Sequence, residues 1–325
     1  MRGTKKLALI VPVLLALAAC GSVNAVNRPH NKVAGGKGGY GYKIAVITHG
    51  GPGDAFWSVV KNGVDQAGKD LGDKISYQSS ADPTTQAQYI TAAVNQKPDG
   101  IVVSMANPEA LKSAVEGATK AGIPVIVVNS GTDQWKEYGA QTYIGSDEAV
   151  AGQAVGTELK KDGMKNVICV IHEAGNASLE QRCKGVAQTL GGKVTNLQVD
   201  INNLNAAQST IQSKLQQDKS IDGVVTLSAQ VSTYAEKGIT GASSSAKLAT
   251  FDLNAAVCKD ILAGKILFSV DQQPYLQGYL AVQMLTLYKS NLNVLGGGQP
   301  VLTGPSLVTK ANAAEVLKLA AGGTR

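Results

Sequence analysis

The residues best suited to chemistry in this chain are polar and aromatic side chains that follow predicted β-strands. Aromatic rings pack on the C–H faces of sugar-like rings, and carboxylate, amide and guanidinium groups form hydrogen bonds with hydroxyls. Hydrogen bonds that involve a carboxylate or an arginine are charge-assisted and stronger than neutral ones. The set therefore predicts a binding site for a small polyhydroxylated molecule. Its members are Asp54, Phe56, Trp57, Asn107, Asn129, Ser130, Asn176, Arg182, Gln230, Asp252 and Gln272.

The elements that must position these residues are short β-type runs alternating with longer helical patterns from residue 43 onward. The runs 101–103 and 125–128 are apolar on both faces, which is typical of a parallel sheet covered by helices on both sides. Two successive sets of five strand–helix units predict two similar doubly wound α/β lobes. Ligands bind at the carboxyl ends of the strands in such sheets. Two facing lobes would therefore form a cleft lined by the predicted site residues.

Each member of the set also has a purely structural alternative. Phe56 and Trp57 would also fit the first turn of a core helix. Arg182 would fit a helix surface. Asp252 and Gln272 would fit caps at the hinge. Asn107 precedes Pro108, so a role as a helix N-cap is at least as well supported as ligand contact. Asp54 is a second candidate cap.

The net charge of +6 does not indicate a nucleic-acid-binding protein. Residues 1–43 hold seven basic residues and no acidic one, so the rest of the chain has 23 basic and 24 acidic residues. A protein that binds a nucleic-acid duplex needs clustered Lys and Arg to replace the counterions at phosphates. No nucleic-acid partner is therefore expected.

The motifs of common enzyme classes are absent from the sequence. The glycine-rich loop at 50–53 is not Gly-x-Gly-x-x-Gly and has no phosphate-binding lysine. The three histidines, His30, His49 and His172, have no metal-ligand spacing, and there is no Gly-x-Ser-x-Gly elbow. The sequence thus predicts neither an enzyme, nor a metal site, nor a cofactor.

The first residues have the pattern of a secretory leader. Basic residues at positions 2, 5 and 6 precede an apolar stretch, Leu7–Ala18, that is too short to span a bilayer comfortably. The sequence Leu17-Ala18-Ala19-Cys20 resembles the bacterial lipobox, which implies cleavage before Cys20 and lipidation of its thiol. The alternative is an ordinary signal peptide with an incidental cysteine. Residues 1–19 are thus expected to be a signal peptide and residues 20–42, rich in Gly and Asn, a flexible tether.

Three cysteines remain after Cys20. Cys169 lies in a strand-like run and Cys183 in the helical pattern that follows, so a local Cys169–Cys183 disulfide is expected in an exported protein. Closing a loop of this length contributes roughly 3 kcal/mol of stability. Cys258 is expected to be a buried free thiol.

Several motifs, taken together, resemble the ribose- and xylose-binding type of bacterial periplasmic sugar-binding protein (type I periplasmic binding proteins), over residues 43 to about 310. The most specific are Ile44-Ala-Val-Ile-Thr with Phe56-Trp57, Pro98-Asp-Gly-Ile-Val-Val103, Ala121-Gly-Ile-Pro-Val125, Tyr143-Ile-Gly-Ser-Asp147, Phe251-Asp-Leu253 and Asp271-Gln-Gln-Pro-Tyr-Leu-Gln-Gly-Tyr279. The resemblance implies two lobes joined by a three-segment hinge, with residues 43–146 and 271–295 in the first lobe and residues 147–270 and 296–325 in the second.

The resemblance also implies roles for individual residues. In that family an aromatic pair after the first strand holds the sugar ring, a role that passes to Phe56 and Trp57. The helix arginine corresponds to Arg182, the aspartate of the Phe-Asp motif to Asp252, and the hinge glutamine to Gln272. Each of these implied roles belongs to the cleft between the lobes.

One position departs from the family pattern. Ribose-binding proteins have an Asp-Arg pair at the end of the fourth strand, whereas this chain has Asn129-Ser130. The change removes two charges from the expected site. It argues against ribose itself and leaves another pentose, a deoxy sugar or an acyclic polyol as the expected ligand.

The function implied by the resemblance is ligand capture outside the cytoplasmic membrane for an ABC importer. The expected partners are a small sugar or polyol, the permease, and the membrane through a lipid on Cys20, with the protein itself a monomer. One alternative is a sensor subunit that presents ligand to a chemoreceptor or kinase, and another is a furanose-like or nucleoside ligand. Sugar-responsive repressors share the fold but begin with a helix-turn-helix, where this chain has the predicted leader.

Overall fold

The computed structural model describes residues 39–51 and 53–325. The predicted leader, Cys20 and the predicted tether up to residue 38 lie outside the described residues. Residues 39–42, also predicted as tether, pack on the first lobe instead: Tyr42 is buried, and the N–H of Tyr40 donates to the carbonyl of Leu71 at 2.7 Å. The first lobe therefore includes residues that precede the predicted boundary at residue 43.

The first lobe is a six-stranded parallel sheet with helices on both faces. Its strands are β1 (Lys43–Thr48), β2 (Lys74–Ser79), β3 (Gly100–Val103), β4 (Val125–Val128), β5 (Thr142–Ser146) and β11 (Val301–Gly304). Its helices are α1 (Ala55–Leu71), α2 (Pro83–Asn95), α3 (Pro108–Lys120) and α9 (Pro274–Asn291). The strand order is β11-β5-β4-β3-β1-β2. Strands β3 and β4 are entirely buried because α1 and α9 cover one face of the sheet while α2 and α3 cover the other.

The second lobe repeats this plan. Its strands are β6 (Asn166–Ile171), β7 (Lys193–Gln198), β8 (Gly223–Thr226), β9 (Lys247–Phe251), β10 (Ile266–Asp271) and β12 (Ser306–Thr309). Its helices are α4 (Glu148–Lys161), α5 (Ala177–Leu190), α6 (Leu204–Gln217), α7 (Ala229–Gly241), α8 (Ala255–Leu262) and α10 (Ala313–Ala321). The strand order is β12-β10-β9-β8-β6-β7, and β12 runs antiparallel to β10. The prediction of two similar doubly wound α/β lobes is confirmed.

The chain passes between the lobes three times: after β5, after β10, and between β11 and β12. The first crossing follows Ser146, at the predicted boundary, and the second follows Asp271, one residue after the predicted boundary. The third lies further from its predicted place, because β11 pairs with β5 at the edge of the first sheet. The predicted boundary at residue 296 is thus wrong: the crossing falls at Pro305, and β11 belongs to the first lobe.

Glycines bring one pair of helices in each lobe into backbone contact. A Cβ on Gly63 of α1 would overlap the carbonyl of Tyr275, and one on Gly278 of α9 would overlap the carbonyl of Val60. The same arrangement holds α4 against α5 in the second lobe, through Gly152 and Gly185. Only glycine lacks the side chain that would separate these backbones.

A disulfide ties α5 to the second sheet. Cys169 on β6 and Cys183 on α5 have their sulfur atoms 2.02 Å apart, and the two positions are separated by 14 in sequence. Cys258 is free and buried. The disulfide fixes α5, which also carries Arg182, against the strand it follows.

A candidate ligand cavity between the two lobes

A cavity lies between the lobes at the carboxyl ends of the parallel strands. Nine of the eleven predicted residues line it: Asp54, Phe56, Trp57, Asn129, Ser130, Asn176, Arg182, Asp252 and Gln272. Three titratable residues that the sequence analysis did not select also line it, namely His49, His172 and Glu173.

The aromatic wall of the cavity comes from the start of α1. Asp54 is the N-cap of this helix, and its carboxylate accepts a hydrogen bond from the Trp57 N–H at 3.2 Å. The rings of Phe56 and Trp57 meet edge to face with centroids 5.2 Å apart, and His49 contacts the other side of Trp57 at 4.6 Å. Trp57 is buried in the core of the first lobe, and Phe56 packs against the same cluster. Trp57 thus belongs both to the hydrophobic core, as its structural alternative expects, and to the wall of the cavity.

Three strand ends in the cleft adopt left-handed backbone conformations. Asn129 follows β4 with φ 63°, and Asp252 follows β9 with φ 66°. Gln273, two residues after β10, has φ 57°. Asn and Asp tolerate this region better than most residues, and non-glycine residues held there cluster at functional sites. The turn lets Asn129 and Asp252 occupy equivalent positions in the two lobes.

Arg182 is the centre of a buried hydrogen-bond network and is only 3% exposed. Its Nε donates to Oε2 of Glu148 at 2.5 Å and its Nη2 to Oε1 at 2.9 Å, which makes a bidentate ion pair. Nη2 also donates to Oε1 of Gln272 at 2.7 Å. The guanidinium lies 4.6 Å from the ring centroid of Phe251. Arg182 is therefore not a helix-surface residue.

Gln272 connects the two lobes from within the second crossing. Its Oε1 accepts from Nδ2 of Asn129 at 3.1 Å, in addition to Arg182. Its Nε2 donates to Oδ1 of Asp252 at 2.5 Å. Asn129 in turn accepts at Oδ1 from the hydroxyl of Ser130 at 3.0 Å. One hinge side chain thus contacts the first lobe and two residues of the second.

Two cavity carboxyl groups have raised pKa values. Burial raises the pKa of Asp252 to about 7, although Arg182 and the hydrogen bond from Gln272 act in the opposite direction. Burial also raises the pKa of Asp54 to about 6, although its hydrogen bond from the Trp57 N–H opposes the shift. Both groups therefore bind protons near neutral pH in the ligand-free protein.

A second cluster faces the aromatic wall from the second lobe. Glu173 Oε2 lies 3.9 Å from Nε2 of His49, and its Oε1 lies 4.0 Å from Nε2 of His172. Asn176, the N-cap of α5, donates from Nδ2 to Glu173 Oε2 at 2.7 Å. Burial lowers the pKa of both His49 and His172, the latter to about 4, so both rings are neutral at pH 7. His49 is also held by Ser104, whose hydroxyl oxygen is 2.7 Å from Nδ1.

The two lobes contact each other across the cleft. The N–H of Ala177 donates to the carbonyl of Ala106 at 3.1 Å, and Gln181 Nε2 donates to Oδ2 of Asp133 at 2.7 Å. These contacts join the start of α5 to loops of the first lobe. The two lobes are therefore in direct contact beside the cavity.

Two predicted residues lie outside this cavity. Asn107 caps α3, accepting from the Ala110 N–H at 3.3 Å, and lines a smaller neighbouring pocket. Gln230 lines a larger adjoining cavity of ≈ 630 Å³ and donates to the carbonyl of Gly53 in the other lobe at 3.5 Å. Asn107 is therefore a helix cap in the structure, as the alternative interpretation predicts.

Two further properties bear on the class of protein. Among the residues described, no three His, Cys, Asp or Glu side chains are grouped so as to hold a metal ion. Across residues 39–51 and 53–325, no helix has the length and hydrophobicity needed to cross a membrane.

Comparison with known sequences identifies the family. Residues 44–291 match the periplasmic binding protein domain. The chain belongs to this family. The match covers most of the first lobe, the first two hinge crossings and nearly all of the second lobe's sheet, so it includes every residue of the cavity.

Named relatives bind pentoses. The xylose/arabinose-binding protein XylF of Sulfolobus acidocaldarius is 28% identical over 253 residues, which are 72% of this chain and 62% of that protein. This chain thus spans less than two thirds of the length of that relative. The ribose import binding protein RbsB of Bacillus subtilis is 23% identical over 262 residues, with 79% of this chain and 83% of that protein covered.

Solved structures of family members are also similar to this chain. A carbohydrate transporter from Acidothermus cellulolyticus in complex with myo-inositol is 45% identical, with a TM-score of 0.86 and coverage of 88% of this chain and 100% of that one. An ABC transporter solute-binding protein from Agrobacterium vitis bound to α-D-tagatopyranose is 25% identical, with a TM-score of 0.72 and coverage of 86% and 99%.

Proposed function

We propose that this protein is the extracytoplasmic substrate-binding protein of an ABC importer, and that it binds a small monosaccharide or sugar alcohol in the cavity between its lobes. The observation that carries the proposal is the arrangement around Gln272. This one hinge residue contacts Asn129 of the first lobe and Arg182 and Asp252 of the second. A ligand bound beside it would contact both lobes and the hinge together.

The chemistry of the cavity wall supports a polyhydroxylated ligand. Phe56 and Trp57 offer apolar surface for the C–H face of a ring. Asn129, Asp252 and Arg182 offer hydrogen-bond partners for hydroxyls on the other sides. Nη1 of Arg182 has no hydrogen-bond partner within the described part of the chain, which leaves it for the ligand. The 45% identical relative that holds myo-inositol favours a cyclic polyol within this class.

The proposed mechanism is hinge closure. Ligand bound to one lobe recruits the other and shifts the population toward the closed form, in which contacts such as Gln181 with Asp133 form. The closed protein then docks on the permease. Lipidation of Cys20 would hold the protein at the outer face of the membrane, close to that partner.

The first test is a thermal-shift screen of the purified protein against cyclic polyols, pentoses, hexoses, deoxy sugars and acyclic polyols. A ligand that binds only the native state raises Tm as its concentration increases. We expect myo-inositol or a stereochemically related polyol to raise Tm. Absence of a shift with every compound would contradict the proposal.

Two matched asparagine variants locate the site. Asn129→Ala removes a cavity residue, whereas Asn107→Ala removes a helix cap outside the cavity. We expect Asn129→Ala to weaken ligand binding by about tenfold, the value of one neutral hydrogen bond, and Asn107→Ala to leave the affinity unchanged. Equal effects of the two variants in isothermal titration calorimetry would argue against this cavity.

The importer role needs a separate measurement in cells. Deleting the gene is expected to abolish uptake of the radiolabelled ligand at concentrations near the Kd. Re-expression of the wild-type protein should restore uptake, whereas re-expression of a Cys20→Ser variant should restore less because the protein would not be anchored. Uptake that is unchanged by the deletion would contradict the importer role and leave ligand binding intact.

A further inference from the structure

The side chains that line the cavity include more acidic than basic groups. Asp54, Glu173 and Asp252 are carboxylic acids, and Arg182 is the one cationic residue of the described chain that lines this cavity. The charge of Arg182 is neutralised by the bidentate pair with Glu148, which is 1% exposed. The three remaining carboxyl groups have no such partner from a lysine or arginine in the cavity wall.

The histidines of the cavity do not compensate for this charge. His49 and His172 are neutral at pH 7 because burial lowers the pKa of each ring. Nδ1 of His172 is buried and has no hydrogen-bond partner among the described residues. The ring of His172 therefore adds no positive charge to the cavity.

Two of the carboxyl groups come from opposite lobes and line the same two cavities. Asp54 begins α1 of the first lobe, Glu173 follows β6 of the second, and both line the ligand cavity and the larger cavity that adjoins it. Glu173 contributes to the raised pKa of Asp54. Burial alone would raise the pKa of Glu173, but the pKa lies below its usual value, and the amide of Asn176 donates to the carboxylate at 2.7 Å. The ionised form of Glu173 is therefore favoured, and it repels the Asp54 carboxylate whenever that group is also ionised.

We infer that the cavity selects its ligand by charge: it accepts neutral polyols and polyols that carry one amino group, and it rejects those that carry a carboxylate or a phosphate. Glu173 is the specificity-determining residue, with Asp54 as its partner across the cleft. An ammonium group between these two carboxylates would remove their repulsion and pair with both lobes. An anionic substituent would add a like charge to a closed cavity, where such repulsion is strong. This inference rests on the proposed function and refines its substrate class.

The test compares matched compounds that differ in one substituent. The compounds are myo-inositol, an amino-deoxy-inositol and an inositol monophosphate, with D-glucose, D-glucosamine and D-glucuronate as a second series. Kd values are measured by isothermal titration calorimetry at pH 7.5. We expect the anion of the series that binds to be at least 100-fold weaker than its neutral parent, and the amine to bind at least as tightly as that parent.

Variants assign the effect to Glu173. Glu173→Gln should reduce the ratio of amine to neutral affinity by about tenfold, and Asp54→Asn should reduce it in the same direction. Glu137→Gln is the matched control, because Glu137 is an exposed glutamate paired with Lys112 outside the cleft. It should leave the ratio unchanged.

The outcomes separate this inference from the proposed function. If the neutral polyol binds and the anion binds equally well, charge selection is wrong while the sugar-binding function stands. If the amine-to-neutral ratio is the same in Glu173→Gln as in the wild type, the role of Glu173 is wrong. Absence of binding by every compound contradicts both the proposed function and the inference that rests on it.

Discussion

The buried ion pair between Arg182 and Glu148 gives a measurable prediction for stability. Arg182→Met keeps most of the side-chain volume but leaves the Glu148 carboxylate buried without its cation. Breaking a buried pair by removing one partner costs about 3–5 kcal/mol in free energy of unfolding. In a protein of this size each kcal/mol corresponds to roughly 2–4 °C. We therefore expect Tm to fall by about 6–20 °C.

A double-mutant cycle measures the pair itself. Arg182→Met, Glu148→Gln and the double variant are compared with the wild type by differential scanning calorimetry and by urea unfolding. The double variant buries no unpaired charge, so its loss should be smaller than the sum of the single losses by about 2 kcal/mol or more. Burial already raises the pKa of Glu148, so the loss in Arg182→Met should also shrink from pH 8 to pH 5 as the carboxyl binds a proton. Additive losses, or a loss independent of pH, would refute this account of the pair.

Three further predictions concern other parts of the fold. Cys183→Ala should lower the free energy of unfolding by about 3 kcal/mol, the value for closing a loop of this length, and a reductant should lower the Tm of the wild type but not of the variant. The folded pKa of Asp252 is raised to about 7, so its contribution to stability is fully present only below its unfolded pKa of about 4 and is lost as the pH rises through 7. Asp252→Asn should thus raise the Tm of the protein without ligand more at pH 8 than at pH 5. Gly152→Ala should lower the free energy of unfolding by about 1–3 kcal/mol or more, because the added methyl group would overlap the Arg182 carbonyl. Gly117→Ala is the control: there is open space around this glycine, so the change should be neutral or slightly stabilising. Equal Tm values for the two variants would contradict the close contact of α4 with α5.

Much of the cavity could be predicted from residues that directly follow predicted strands, because parallel strands have their carboxyl ends at one edge of the sheet. Asn129 and Asp252 follow buried strands directly, so their positions depend only on local pattern and sheet direction. The partners of Arg182 could not be obtained this way. Its pairing with Glu148 requires α4 and α5 to approach through glycine contacts, which is a property of tertiary packing. The sequence also could not show that His49 and Glu173 would meet, since that depends on the angle between the lobes.

The last part of the chain was the hardest to predict. Helix α9 lacks a single apolar face because it packs between α1 and the first sheet, so its sequence shows no amphipathic period. Strands β11 and β12 are four residues each, separated by Pro305, and one joins each sheet. Segments this short carry too little periodic signal to assign a sheet. The misplaced third hinge boundary follows from this.

The glycine contacts between helices have a mechanical consequence. In each lobe, one helix of the pair carries cavity side chains (α1 with Phe56 and Trp57, α5 with Arg182), and the other begins at a hinge crossing (α9 and α4). Backbone against backbone leaves no flexible side chain between the two helices to absorb a displacement. Each pair of helices is therefore expected to move as a rigid unit that connects cavity side chains to a hinge crossing. A displacement of the cavity side chains is therefore expected to change the angle between the lobes.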